Sequence, residues 1–422
     1  MIDRTKQGFE YERSRKAPPP GFPTLPPIPG GRYTDPEFLG LEQQYLWRKS
    51  WLYACHLDQV PETGSYLSWN KTGSPIVIVR ADRGTVRAFY NICRHRGGPL
   101  VTEGSGSLVD GFTCRYHGWA YDLEGGLKGV RDRRDFGDMD IDCLGLIPVR
   151  CERLGQWVFV NEDPAAPALL ESLGPVAGHW QGISSAGLRH VESYGFDIEC
   201  CMKVMLEAFL EVYHLSNVHP QTANRFLDHK ATRITLWPSG HSLMVTPNRK
   251  PDWVDPGTVG LPSIAGLGRF PLENNLSYHL FPNLVTPIAA SGFPFLAFWP
   301  TGASTMHVEC HWFAPDWGDA ARNPLWDQRI ENFNRILAED MELVPYIQKS
   351  LESPGFRGIR LNYQERRIYH WHEELDRRLP TAEIPASLRL EPKLSEFIDR
   401  DASQPLPAAA AERPPPAEGI AT

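Results

Sequence analysis

Two short stretches of this chain place thiols and imidazoles at metal-binding spacing. The first reads Cys93-Arg94-His95-Arg96-Gly97-Gly98 and the second Cys114-Arg115-Tyr116-His117-Gly118-Trp119. Cys-x-His followed by Cys-x-x-His offers two thiolates and two imidazoles. That set suits a tetrahedral zinc or a two-iron cluster in which histidines hold one of the irons. Structural zinc sites usually separate paired ligands by two or more residues, whereas a single residue separates Cys93 from His95. A two-iron cluster held by one Cys and one His from each loop matches the spacing better. Gly97, Gly98 and Gly118 allow the backbone close to the sulfurs, where peptide N–H groups can tune the cluster. A zinc-stapled protein stays as the alternative.

A cluster of this kind passes single electrons, so bond chemistry on an organic substrate requires a second centre. The stretch Glu207-Ala208-Phe209-Leu210-Glu211-Val212-Tyr213-His214, running on to His219-Pro220, is the candidate. Val204, Met205, Ala208, Phe209, Val212 and Leu215 recur at helical spacing, which predicts a helix near 201–216 with Glu207, Glu211 and His214 on its other face. Pro220 biases His219 away from helical geometry, so the helix should end before it and let His219 fold back toward His214. Glu211, one turn before His214, is placed to accept that ring's other N–H and fix its tautomer. An amphipathic helix with a merely solvated polar face accounts for the same residues without a metal.

A second helical pattern runs near 325–352. Ile330, Phe333, Leu337, Val344, Ile347 and Leu351 form its apolar stripe, and Asp340 lies on that stripe while Glu339 and Glu342 fall off it toward solvent. An aspartate on a buried face must be hydrogen-bonded, charge-paired or metal-bound. Two histidines need one carboxylate to complete the facial triad that leaves positions open for dioxygen at Fe(II). Asp340 is the first choice and Glu342 the reserve. Pro345 predicts a kink one turn beyond Asp340.

The elements that must carry these residues divide the chain in four. Residues 1–45 hold an arm, proline-rich and extended to about residue 32, then a short helix capped by Asp35 ahead of Pro36. Residues 46–163 read as an all-β domain, with strands at Tyr66–Trp69, Ile76–Val79, Val86–Tyr90, Phe112–Arg115, Trp119–Asp122 and Trp157–Val160. Residues 164–401 mix the two helical patterns with strands at Arg233–Trp237, Ser242–Val245, Ser277–Leu280, Phe295–Trp299 and His307–Phe313, an α+β arrangement. The Pro/Ala-rich end, 402–422, reads as a disordered tail. The aromatic run within 281–299 suits a sheet core or an apolar ligand, with core favoured.

Composition narrows the function classes. The 422 residues carry a net charge of -8 with no long basic block, which favours neither nucleic acid nor an anionic membrane. The polar N-terminus lacks the apolar core of a signal peptide, and no run of eighteen apolar residues predicts a membrane span. Eight cysteines follow no disulfide framework; reduced thiols and a labile cluster point to the cytoplasm. With no dinucleotide-binding glycine loop, reducing equivalents must come from another protein.

From about residue 35 to 400 the chain resembles the large (alpha) subunit of the Rieske-type non-heme iron aromatic-ring-hydroxylating oxygenases. The resemblance rests on the two Cys/His loops and on an acidic residue, two residues, His, four residues and His, matched at Glu211, His214 and His219. It implies a Rieske [2Fe-2S] cluster on Cys93, His95, Cys114 and His117, and a mononuclear Fe(II) on His214, His219 and Asp340. The Asp of a late Glu-Asp pair supplies the third ligand. The catalytic domain is expected to have the helix-grip fold. Glu211 is expected to act in catalysis by bridging to a cluster histidine of a neighbouring subunit, which implies a homotrimer, with room for a small beta subunit. O2 is the co-substrate, and electrons come from NAD(P)H through a reductase, with a ferredoxin in some systems. Hydroxylation of an aromatic or other apolar small molecule is the leading expectation. Many ring-dihydroxylating members carry Asp where this chain has Glu211, and Glu occurs in members acting on quaternary ammonium compounds. Monooxygenation or N-demethylation of such a substrate is therefore the alternative. A non-catalytic Rieske electron carrier is the alternative of another class, and the second histidine motif argues against it.

Overall fold

The computed structural model describes residues 2–102, 104–140, 142–250 and 253–400. The predicted tail at 402–422 lies outside them.

Among the described residues, ten strands build the first half. They are β1 (Leu52–His56), β2 (Ser65–Trp69), β3 (Ile76–Arg80), β4 (Val86–Tyr90), β5 (Ser105–Ser107), β6 (Phe112–Thr113), β7 (Ala120–Tyr121), β8 (Leu127–Gly129), β9 (Pro148–Leu154) and β10 (Trp157–Asn161). Seven of them form an antiparallel sheet in the order β1-β10-β9-β4-β3-β2-β5, while β6, β7 and β8 form a small sheet of their own. The Ile76-Val77-Ile78-Val79 run is wholly buried because both faces of β3 are covered. Val77 and Val79 turn toward Phe89, Phe112, Trp119, Tyr121 and the two loop cysteines, which form a separate small core. Ile76 and Ile78 belong to the main core of the molecule.

The second half is one seven-stranded antiparallel sheet in the order β11-β17-β16-β15-β14-β13-β12. Its strands are β11 (Leu188–Ile198), β12 (Arg233–Leu236), β13 (Ser242–Pro247), β14 (Asn274–Leu280), β15 (Leu284–Ile288), β16 (Phe293–Pro300) and β17 (Met306–Pro315). The aromatic run is core, as favoured: Phe293, Phe295 and Phe298 have no exposed surface. On β16, Phe295 meets Trp157 of the first sheet at 5.0 Å between ring centres, and Phe298 meets Phe209 at 5.4 Å. The two halves therefore share one hydrophobic core.

Five helices matter for the site: α1 (Ile2–Ser14), α2 (Pro175–Ser184), α3 (Met202–Ala208), α4 (Leu325–Leu351) and α5 (Arg366–Arg378). On α4, Leu337, Asp340, Val344 and Leu351 are buried as the stripe predicts, and the helix runs unbroken through Pro345. Two expectations fail. The N-terminal arm is not extended throughout, since residues 2–14 form α1; the prolines that favour extension begin only at Pro18. The predicted helix near 201–216 stops at Ala208. The Glu211 carboxylate takes up the backbone N–H groups of Tyr213 and His214, which a continuing helix would have bonded to the carbonyls of residues 209 and 210.

The Asp35 cap forms as predicted, accepting from the backbone N–H groups of Glu37 and Phe38. Around it the arm is fastened by buried charge. Lys203 Nζ lies 2.6 Å from Glu42, and Arg32 pairs with Asp376 at 2.6 Å. The Tyr33 hydroxyl donates to Glu207 at 2.7 Å. The Lys203 and Glu207 bonds hold α3, and with it the approach to His214, against the arm, while Arg32 ties the arm to α5.

Candidate metal centres

The first centre is built from two loops of like geometry. In the loop after β4, Gly97 N–H donates to the Cys93 carbonyl at 3.0 Å; in the β6–β7 hairpin, Gly118 N–H donates to the Cys114 carbonyl at 2.9 Å. Gly97 and Gly118 sit at φ of 72° and 75°, a region where a Cβ would be strained. Gly98 serves by its small size: a Cβ there would lie 3.2 Å from Cys114 Sγ. Cys93 and Cys114 are buried and unpaired. The rings of His95 and His117 stand 4.5 Å apart at the loop tips, and His95 stacks on Trp119 with planes 7° apart.

Two supporting residues carry no signal in the sequence. Asn91 ties the base of the first loop, accepting from the Leu100 and Val101 N–H groups and donating to the Val101 carbonyl. The Tyr121 hydroxyl lies 3.3 Å from Cys93 Sγ and accepts from Arg94 N–H. Nothing in their spacing to the ligands marks them. The donor set fits a Rieske cluster: two buried free thiols, two facing imidazoles, and a His95 Nδ1 that is buried with no hydrogen-bond partner among the described residues.

The second centre lies where the end of α3 and the loop beyond it approach α4. One donor atom each from His214, His219 and Asp340 fall within 4.8 Å of one another. Asp340 Oδ1 is 3.2 Å from His219 Nε2 and 3.6 Å from His214 Nε2. Glu211 accepts from His214 Nδ1, fixing the tautomer that turns Nε2 toward Asp340. Burial favours the neutral form of both rings, but their carboxylate hydrogen bonds and the Asp340 charge outweigh it and leave both pKa values raised. Converging Nε2 atoms and one buried carboxylate suit a divalent metal. Glu342 is exposed and takes no part. Glu339, expected to face solvent, instead accepts from His219 Nδ1 at 2.5 Å and from the Thr222 hydroxyl at 2.6 Å. Helical phase places Glu339 off the apolar stripe, and the loop from His219 to Thr222 folds over that face.

A family model described as "Ring hydroxylating alpha subunit (catalytic domain)" matches residues 185–381, and one described as "Rieske [2Fe-2S] domain" matches residues 50–143. The chain belongs to the Rieske-type ring-hydroxylating oxygenase alpha subunits. It is an oxidoreductase of the Rieske non-heme iron class, with a [2Fe-2S] cluster and a mononuclear iron, using O2 and electrons delivered by a reductase. Rieske oxygenases work with reductase and ferredoxin partners.

It is 30% identical over 206 residues to a glycine betaine monooxygenase oxygenase subunit of Chromohalobacter salexigens, covering 49% of this chain and 46% of that protein. To the carnitine monooxygenase oxygenase subunit of Escherichia coli it is 27% identical over 343 residues, 78% of this chain and 86% of that one. The naphthalene 1,2-dioxygenase large component of Pseudomonas fluorescens is 31% identical over 222 residues, 50% of this chain and 49% of that one. A solved quaternary ammonium Rieske monooxygenase shares the fold at a TM-score of 0.73 and 21% identity, covering 86% of this chain and 100% of that one. The Rhodococcus naphthalene 1,2-dioxygenase gives 0.69 at 19%, covering 91% and 98%. No helix among the described residues is long and apolar enough to cross a membrane.

Proposed function

We propose that this terminal oxygenase acts on a small N-methylated quaternary ammonium compound, with Cys93, His95, Cys114 and His117 holding the cluster and His214, His219 and Asp340 holding the iron. The observation that carries the site assignment is the convergence of the two Nε2 atoms and the Asp340 carboxylate within 4.8 Å, in a chain that also presents the paired Cys/His loops. The substrate class rests on the glycine betaine and carnitine relatives, the latter aligned over most of the chain, and on Glu211 in the iron motif. It moves the alternative of the sequence reading ahead of the arene.

The two centres when filled supply single electrons and open coordination positions for dioxygen. The chain's own residues set the geometry around them. Glu211 holds His214 through Nδ1, and the same carboxylate stands ready to accept from a cluster histidine brought up by a neighbouring subunit. That reading implies a homotrimer with the electron path between chains; the solved quaternary ammonium relative is itself described in terms of inter-subunit electron transfer. A small beta subunit is not required by it. The buried thiols of Cys55, Cys93, Cys114, Cys200, Cys201 and Cys310, none of them in a disulfide, fit a reducing, cytoplasmic setting.

Hydroxylation of an N-methyl group consumes one O2, two electrons and two protons, yields one water, and leaves an N–CH2OH group. That group breaks at C–N to release formaldehyde and the demethylated amine. With a surrogate reductase and NADH, N-methylated ammonium compounds are expected to drive oxygen uptake with stoichiometric formaldehyde. Uptake coupled to naphthalene with diol formation, and none with the ammonium compounds, would overturn the substrate reading.

A further inference from the structure

We propose that Glu339 is the positioning residue for His219, holding the imidazole from the side opposite Asp340 and so setting the affinity of the mononuclear site. The inference rests on the iron assignment made above and adds to it a residue on the ring's far side. Glu339 and Asp340 are consecutive on α4, so their side chains leave the helix about 100° apart. The His219 ring lies between them: Nδ1 is 2.5 Å from Glu339 Oε2, and Nε2 is 3.2 Å from Asp340 Oδ1. A carboxylate only accepts, so Glu339 fixes the proton on Nδ1 and leaves the Nε2 lone pair facing Asp340.

Glu339 is itself anchored. The Thr222 hydroxyl donates to the same Oε2 at 2.6 Å, tying the turn after His219 to α4. His219 is 3% exposed and its backbone N–H is bonded to the Leu215 carbonyl, so ring and backbone are both held. His214 has a corresponding partner in Glu211, but that carboxylate also spends lone pairs on the Tyr213 and His214 N–H groups. The two histidines are thus held by separate acids with separate surroundings. Glu339 is placed to orient one ligand without taking part in the link to the cluster.

The test uses the full chain with its cluster in place, stripped of mononuclear iron by a chelator and titrated with Fe(II) against a colorimetric competitor. Loss of an outer partner of a metal-bound histidine typically weakens binding by about 10- to 100-fold, and that loss is expected for E339A. E339Q retains an acceptor for Nδ1–H and is expected to recover most of the affinity, to within about threefold of the parent chain, whereas T222V falls between E339Q and E339A. The visible spectrum of the cluster and the thermal midpoint report folding separately and are expected to stay unchanged. E339A binding Fe(II) like the parent chain, or E339Q binding as weakly as E339A, would overturn the proposal. H219A and D340A separate the two levels of inference. If they lose Fe(II) while E339A keeps it, only the role of Glu339 fails; if they too bind normally, the iron assignment fails.

Discussion

Glu207 offers a sharp test of how the arm is joined to the segment that leads to His214. It is buried, with Oε1 accepting from the Tyr33 hydroxyl at 2.7 Å and from His372 Nε2 at 2.9 Å. Burial pushes its carboxyl up to about 8, against the lowering pull of the Tyr33 hydrogen bond and the Lys203 charge. In the unfolded chain the same group titrates near 4.5. Folding therefore takes up a proton between these two values. Stability from this group is greatest below pH 4.5, falls by about 1.4 kcal/mol for each unit above it, and levels off once pH exceeds 8. At pH 7 the accumulated cost is on the order of 3 kcal/mol. Glutamine has no proton to take up and keeps an oxygen for Tyr33 and His372. E207Q is therefore expected to be the more stable protein at neutral pH, and its advantage should widen by about 2 kcal/mol from pH 6 to pH 8. Urea unfolding followed by tryptophan fluorescence at pH 6, 7 and 8 measures the gap. A gap independent of pH, or a parent chain more stable than E207Q at pH 8, would refute the reasoning.

Lys203→Met leaves Glu42, which is 1% exposed, without its only ion-pair partner among the described residues, and should destabilise the chain by about 3–5 kcal/mol in the same urea assay. Gly98→Ala presses a methyl group toward Cys114 Sγ, at 3.2 Å before relaxation, so the cluster's visible spectrum and reduction potential should shift while the mononuclear iron content holds. Gly118→Ala, at φ 75°, should cost about 1–2 kcal/mol through backbone strain and lower cluster occupancy as measured by acid-labile sulfide.

Much of this was legible in the sequence because ligand chemistry and helical periodicity are local signals. Asp340 could be singled out from its neighbours because a carboxylate on the Leu337–Val344 stripe is conspicuous, and the structure buries it beside both imidazoles. The strands from Tyr66 to Tyr90 were readable from β-branched and aromatic runs bounded by turn residues. What escaped was set by contacts distant in sequence. The β11 strand reads Leu188-Arg189-His190-Val191-Glu192-Ser193, too polar to announce itself, and it forms at the edge of the sheet by pairing with β17. The predicted helix near 201–216 ends at Ala208, and beyond it the Glu211 carboxylate takes the backbone N–H groups of Tyr213 and His214, a competition that periodicity does not register. Helical phase alone points Glu339 to solvent, and the loop from His219 to Thr222 that covers it is placed by folding rather than by phase.

The central claim is that electron entry and oxygen chemistry occupy separate sites in this chain, one on the Cys/His loops and the other at His214, His219 and Asp340. Asp340→Ala tests it most directly, with turnover on an N-methylated ammonium substrate and the cluster's visible spectrum measured on the same sample. The account predicts that turnover falls to background while the spectrum, and its bleaching by the reductase, stay as in the parent chain. Turnover that survives, or a cluster spectrum lost together with activity, would contradict it.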